Sequence, residues 1–163
     1  MQYFYPVSSS SINKLLAALL LAVPLSSCGS LFGKEVARLP INAISTPEQE
    51  VVKEAALPLQ KGEELALWSD MDMAYEGEAP VRFQVQVLKN GTAFQQLELD
   101  PTDKNVTVGE VKTAVNGKTT WSFTGKNGSL TIPETGTYTF KARLVAAANP
   151  TLKITKAELV LKK

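Results

Sequence analysis

Apolar and polar residues alternate in short runs along most of Thr46–Lys163. Within 138–144, every second residue is apolar and its neighbours are polar, and the segments 65–75 and 81–87 show the same period. This period is typical of strands that bury one face. No helical period persists over three turns, so the pattern predicts an all-β domain, an antiparallel β-sandwich of about eight strands. The positions predicted to face its core include Phe83, Val85, Trp121, Tyr138, Phe140 and Leu144.

Turn residues separate these runs. Asn90–Gly91, Asn116–Gly117 and Asn127–Gly128 are three Asn-Gly pairs, the strongest short signal for a hairpin turn. Pro58 interrupts the first run and predicts an edge strand there, because proline donates no hydrogen bond to a neighbouring strand. The final run changes the side on which its apolar residues fall, which predicts a β-bulge near Thr155–Lys156.

The N-terminal region has a different pattern. Leu15–Val23 is an unbroken apolar run of nine residues, far shorter than the roughly 20 residues that a spanning helix needs. It fits the hydrophobic part of a secretory signal peptide. The tetrapeptide Leu25-Ser26-Ser27-Cys28 follows and contains the only cysteine. This arrangement resembles the lipobox of bacterial lipoprotein signals.

The resemblance implies cleavage before Cys28, a diacylglycerol on its sulfur and an acyl chain on the new amino terminus. Two or more acyl chains hold a protein stably on a membrane. Gly29, rather than Asp, follows the cysteine, which in such lipoproteins implies the outer membrane. The expected organisation is a helical signal peptide at 1–27, a lipidated tether at 28–45 and the sandwich at 46–163. Which leaflet carries the anchor stays open.

Composition limits the chemistry. The chain has no histidine, which removes the commonest general base and the commonest transition-metal ligand. Lys14 is the only charged residue before Cys28, so the processed chain has equal numbers of basic and acidic residues. This balance does not favour nucleic acid as a partner. No cofactor motif or nucleophile system is present, and we expect a non-catalytic protein without a cofactor.

One cluster of residues is a candidate ligand site. Trp68, Asp70 and Asp72 share one side of the strand predicted at 65–75, and Glu76 follows it. An outward indole beside carboxylates favours a carbohydrate site, and the carboxylates are also ligands that calcium prefers. The alternative is a solvated strand face with Trp68 packed beneath the tether or a loop, as large aromatic side chains usually are.

The domain as a whole resembles the jelly-roll or immunoglobulin-like sandwiches of extracytoplasmic binding modules. The segments that carry this resemblance are Gly136–Ala142, a turn leading into a core strand, and the closing Lys156–Leu161. Such folds host many functions. Two hypotheses remain: a lipid-anchored structural or protein-interaction module that docks onto another envelope protein, or a carbohydrate-binding module, with or without calcium. An exposed strip of Trp68 and Tyr75 beside a groove would favour the second, and a flat face or a free strand edge without a groove would favour the first.

Overall fold

The computed structural model describes residues 32–163. The predicted signal peptide and Cys28 lie outside the described residues. The described chain forms nine strands: β1 (Glu35–Pro40), β2 (Lys53–Leu59), β3 (Glu64–Glu76), β4 (Val81–Lys89), β5 (Thr92–Leu99), β6 (Val106–Val115), β7 (Lys118–Thr131), β8 (Gly136–Ala146) and β9 (Lys153–Lys162). Within 32–163, no helix is long and apolar enough to cross a membrane.

The strands form two sheets in which every pair of neighbouring strands is antiparallel. The five-stranded sheet has the order β1-β9-β3-β7-β6, and the four-stranded sheet has the order β2-β8-β4-β5. The predicted antiparallel β-sandwich is therefore confirmed. Without β6, the two orders are those of an eight-stranded jelly roll. β6 is an additional strand at the edge of β7.

The core lies between the two sheets and is built from the alternating positions. Of the six residues predicted to face it, five are buried: Phe83, Val85, Tyr138, Phe140 and Leu144. The Tyr138 hydroxyl donates a hydrogen bond of 2.8 Å to the Glu134 carbonyl, so this aromatic is buried with its polar atom satisfied. Trp121 lies opposite the buried Met73 and packs against the core, as predicted, but it is only half-buried. The ammonium groups of Lys104 and Lys112 lie over its ring.

Most of the predicted turns and irregularities are confirmed. At Asn90–Gly91 and Asn116–Gly117 both residues have positive φ, at 50° for each asparagine and 82° and 81° for the glycines, as a type I′ hairpin turn requires. The register between β3 and β9 skips Thr155, which is the predicted bulge. Pro58 lies in β2, at the edge of its sheet.

The third Asn-Gly prediction is wrong, because Asn127–Gly128 lies inside β7. Asn127 is an extra residue in a bulge opposite β3. Its side-chain amide donates hydrogen bonds of 2.9 Å to the carbonyls of Asp100 and Asp103 and accepts one of 2.7 Å from the Ser69 hydroxyl. These bonds fix the loop between β5 and β6, so Asn127 joins two elements and does not turn the chain.

The structure also differs from the expected tether at 28–45. β1 lies within that segment and pairs with β9, and Leu39 and Ile41 are buried in the core. The compact unit begins at Phe32. β1 is only six residues long, and two of its apolar residues, Val36 and Ala37, are adjacent and so break the alternation. Its sequence pattern is therefore too weak to distinguish a strand from a linker.

Candidate functional site

The residues predicted as a ligand site lie on and beside β3. Trp68, Asp70 and Asp72 occupy the outer side of the five-stranded sheet, and Glu76 ends the strand at an exposed position. The structure therefore confirms that the first three share one side. It differs from the prediction in what each of them contacts.

Trp68 is buried, with 2% of its surface exposed. The ring of Phe32 packs edge-on against it, with the ring centroids 6.1 Å apart. The ammonium of Lys162 lies 4.1 Å from the centroid of the indole ring. The alternative interpretation, an indole packed beneath the preceding segment, is thus the arrangement observed. Trp68 offers no exposed ring on which a sugar can stack.

Asp70 belongs to an ion-pair network centred on Arg38. The Arg38 guanidinium contacts Asp70 at 3.1 Å, and it also contacts Glu35 and Glu158. Its hydrogen bond to Glu35 is the main reason that the pKa of Arg38 is raised and that of Glu35 is lowered. Lys156 adds a second cation 3.3 Å from Asp70. The network joins β1, β9 and β3, so the Asp70 carboxylate has a structural explanation.

The other two carboxylates do not complete a site. Asp72 is half-buried, beside Ser122 and Lys156 in the sheet register. Glu76 is exposed, and its backbone N–H donates to the Thr151 hydroxyl at 2.9 Å. Among residues 32–163, no three acidic or cysteine side chains lie close enough together to hold a metal ion. The calcium hypothesis therefore has no donor cluster in this part of the chain.

A second surface was not singled out in the sequence. All ten residues of β6 are exposed, and in the described chain β6 pairs only with β7. Its valines lie beside the outward residues of β7 and are 38 to 64% exposed. We call this surface the β6 edge; its apolar residues are Val106, Val108, Val111 and Val115. An edge strand whose outer backbone groups are unpaired and whose side chains are apolar is a template for another strand.

A cluster on the opposite side of β6 holds the strand in place. Glu110 accepts hydrogen bonds of 2.7 Å from the Trp121 indole and 2.9 Å from the Lys104 ammonium. The Lys104 bond, and then the indole bond, lower the pKa of the Glu110 carboxyl. Lys112 lies 3.8 Å from the centroid of the Trp121 ring. We call Lys104, Glu110, Lys112 and Trp121 the Trp121 cluster. It keeps both charged residues of β6 away from the valines.

A third surface is a cleft of about 710 Å³ over the outer face of the four-stranded sheet. We call it the amide cleft; the polar residues of β4, β5 and β8 that line it are Gln84, Gln86, Gln96, Glu98, Lys141 and Arg143. Glu50 lines it from the connection between β1 and β2. Arg143 donates to Gln84 at 2.9 Å and to Glu50 at 2.5 Å. No tryptophan, tyrosine or phenylalanine lines this cleft in the described chain.

Comparisons with known proteins leave the family of the chain open. No protein-family model and no curated protein matches it. Among solved structures, it is similar to part of a beta-glucosidase from Paenibacillus barengoltzii, with 17% identity and a TM-score of 0.31. The similarity covers 76% of this chain and 10% of that enzyme, so the chain spans about a tenth of its length. A TM-score this low supports no inference about function.

The sequence analysis did not identify the β6 edge or the amide cleft, although some of the residues of each surface could be recognised in the sequence. The valines of β6 could be recognised as part of a strand. Their exposure could not, because it depends on the position of β6 at the end of the sheet, beside β7 only. Two glutamines of the amide cleft, Gln84 and Gln86, were visible as outward positions of β4. The cleft itself needs β5 and β8 beside that strand, and these pairings join residues that are distant along the chain.

Proposed function

We propose that this chain is a lipid-anchored, non-catalytic protein of the bacterial outer membrane whose sandwich binds another envelope protein. The anchor part of the proposal is supported by the nine-residue apolar run and the tetrapeptide Leu25-Ser26-Ser27-Cys28. A thioether-linked diacylglycerol with an additional acyl chain exceeds the one chain that gives only marginal membrane binding. The absence of histidine from the chain supports the non-catalytic part.

The observation that carries the interaction part is the β6 edge. Its backbone groups on the side away from β7 pair with no strand of the described chain, and Val111 and Val115 are 64% and 60% exposed beside them. An extended partner segment would satisfy these backbone groups and cover the valines with its own apolar side chains. The partner is therefore an extended segment of another envelope protein that adds a sixth strand to the sheet.

The part of the β6 edge from Val111 to Val115 is suited to the addition of a strand. The bulge between Val108 and Val111, with Gly109 at a φ of 63°, interrupts the regular ladder before that point. Bulges and inward charges protect natural edges from unwanted pairing. From Val111 to Val115 the strand is regular, and its one charged residue, Lys112, contacts Trp121. This half of β6 is left open.

Site-specific photocross-linking in cells tests the interaction. A photoreactive amino acid at Thr113, in the middle of the open half, should cross-link to an extended segment of an envelope protein, identified by mass spectrometry of the joined peptide. Val111→Lys with Val115→Lys should reduce the yield at least about tenfold, because lysines on an edge oppose strand addition.

The matched control places the photoreactive group at Val52, which is 43% exposed and lies outside β6. The same adduct from Val52, or an adduct that survives both lysine substitutions, would contradict binding along β6. Cross-linking only to a second copy of this chain would replace the proposed partner with self-association.

A further inference from the structure

The amide cleft has the composition of a site for a neutral polar ligand. It lies on the sheet opposite to the β6 edge and takes no part in the interaction proposed above. Its charged lining residues are balanced in number: two are basic, Lys141 and Arg143, and two are acidic, Glu50 and Glu98. A balanced lining provides no net attraction for an anion or a cation, so it favours an uncharged ligand with many hydrogen-bonding groups.

The cleft is organised as a regular grid by the sheet register. Gln86 lies between Lys141 on β8 and Gln96 on β5, and Gln84 lies between Arg143 and Glu98 on the same two strands. The Cβ atoms of directly opposed residues in antiparallel strands are about 4.5 to 5.5 Å apart. Polar groups from three adjacent strands are therefore presented together on one side of the sheet.

Part of this grid is held in place before any ligand binds. Two N–H groups of Arg143 are used by Gln84 and Glu50, which orients the planar guanidinium and leaves its other donors available. On the neighbouring row, the Lys141 ammonium lies 3.3 Å from the Glu54 carboxylate. Fixed side chains lose little conformational freedom on binding, which favours affinity.

Two amides in the cleft are available to a ligand. Gln86 and Gln96 are exposed and face each other across β4 and β5. Within residues 32–163, neither side chain takes part in a hydrogen bond, whereas Gln84 accepts one from Arg143. Each amide offers two donors and one acceptor oxygen. Hydroxyl groups also donate and accept, so adjacent amides are matched to a polyhydroxylated ligand.

We propose that the amide cleft binds a neutral oligosaccharide through hydrogen bonds, with Gln86 and Gln96 as the principal contacts and Arg143 as an oriented donor. This site is distinct from the Trp68 position considered from the sequence. Because the lining in the described chain has no aromatic ring on which a sugar can stack, the interaction depends mainly on hydrogen bonds. It is independent of strand addition at β6, and either proposal can fail without the other.

Nuclear magnetic resonance of the ¹⁵N-labelled full chain carrying Cys28→Ser, in a detergent without a sugar headgroup, tests the site. The probes are maltotetraose, xylotetraose and N-acetylated chitotetraose, with tetragalacturonate as the charged counterpart. At least one neutral probe should shift the amide signals of Gln84, Gln86 and Gln96. Gln86→Ala with Gln96→Ala should raise its Kd at least about tenfold, because two hydrogen bonds are lost.

Gln95→Ala is the matched control, since Gln95 is an exposed glutamine on the same strand but outside the cleft. It should change the Kd by less than about twofold. Signals of the five-stranded sheet, which lies away from the cleft, should stay in place in all variants, which shows that the variants remain folded. Absence of shifts with every neutral probe, unchanged binding in the double variant, or tighter binding of tetragalacturonate would overturn the proposal.

Discussion

Glu110 is the titratable residue at the centre of the Trp121 cluster. Its carboxylate accepts from both Trp121 and Lys104, and these bonds hold the side of β6 that is opposite to the valines. Both bonds need the charged form for full strength, because hydrogen bonds to an ionised acceptor are the stronger ones. At the scale of single residues, the strength of these two hydrogen bonds therefore depends on one titratable group.

We expect the Trp121 cluster to loosen in acid. The pKa of Glu110 in the folded chain is lowered below its ordinary value of 4.5. Its stabilisation is therefore present above pH 4.5 and is lost as the pH falls through the lowered value. The indole N–H resonance of Trp121 should titrate with a midpoint below 4.5, and Glu110→Gln should abolish that titration. A midpoint at or above 4.5 would contradict the arrangement.

Gly125 makes room for Lys104. A Cβ atom at this position would overlap the Lys104 side chain, with its Cγ at 2.6 Å. Lys104 lies with its ammonium 3.9 Å from the centroid of the Phe123 ring and cannot move without losing that contact. Gly125→Ala should therefore lower the free energy of unfolding by about 1 to 3 kcal/mol, measured by urea denaturation.

Gly128 provides the matched control, because it lies on the same strand and a Cβ there would meet no atom within 4 Å. Gly128→Ala should change stability by less than about 0.5 kcal/mol. The cost of Gly125→Ala should also shrink in a Lys104→Ala background, since the two closest atoms of the overlapping side chain are then absent and only its Cβ, at 3.1 Å, remains. If both glycine substitutions have the same effect, Lys104 is not the cause.

At the scale of elements, local patterns predicted what depends on local geometry. Asn90–Gly91 turns the chain because both residues adopt positive φ between two strands that pair with each other. The bulge at Thr155 followed from a change in the side on which apolar residues fall. Asn127–Gly128 has the same letters as the hairpins, but β7 continues through it because β3 pairs with it on both sides of the bulge. The Asn-Gly dipeptide alone does not show that β3 will pair with the residues on both sides of it.

Asn127 should behave as a brace for the loop between β5 and β6. Asn127→Ala removes three side-chain hydrogen bonds, one of them to the buried Ser69 hydroxyl, and should cost about 1 to 3 kcal/mol. Amide hydrogen exchange should accelerate most at Asp103 and Asn105, whose backbone bonds close this loop. Asn149→Ala, which removes comparable bonds to Glu76 and Glu78, should leave exchange at these two residues unchanged.

At the scale of the whole molecule, the sandwich was predictable and its sheet order was not. The alternation of apolar and polar residues indicates which side of each strand is buried. This information is sufficient to predict two sheets that pack against each other around one core. The order of strands depends on connections that cross from one sheet to the other, such as the one from β5 to β6. The candidate site depended on that order. Trp68 is covered by Phe32, which is distant in sequence, and the free edge and the cleft exist only because of which strands are neighbours.

The position of Phe32 also changes the expected relation between anchor and domain. The described contacts of the sandwich begin at Phe32, which packs against Trp68. If Cys28 is lipidated as proposed, we expect the lipid to determine where the protein resides and not how residues 32–163 fold. Confinement at a membrane raises the effective concentration for a membrane partner to the order of millimolar, so loss of the anchor should weaken partner binding even though the β6 edge is unchanged.

Cys28→Ser separates these two effects. The variant should lose labelling by radioactive palmitate and leave the outer-membrane fraction, because Cys28 is the only cysteine that can carry the thioether-linked lipid. Its thermal unfolding should match that of the parent chain, and its cross-linking from Thr113 should fall. Ser27→Ala keeps a small residue before the cysteine and should retain labelling, location and cross-linking. Palmitate labelling that persists in Cys28→Ser would refute the lipoprotein proposal, and a lower midpoint of unfolding would show that the segment before Phe32 contributes to the fold.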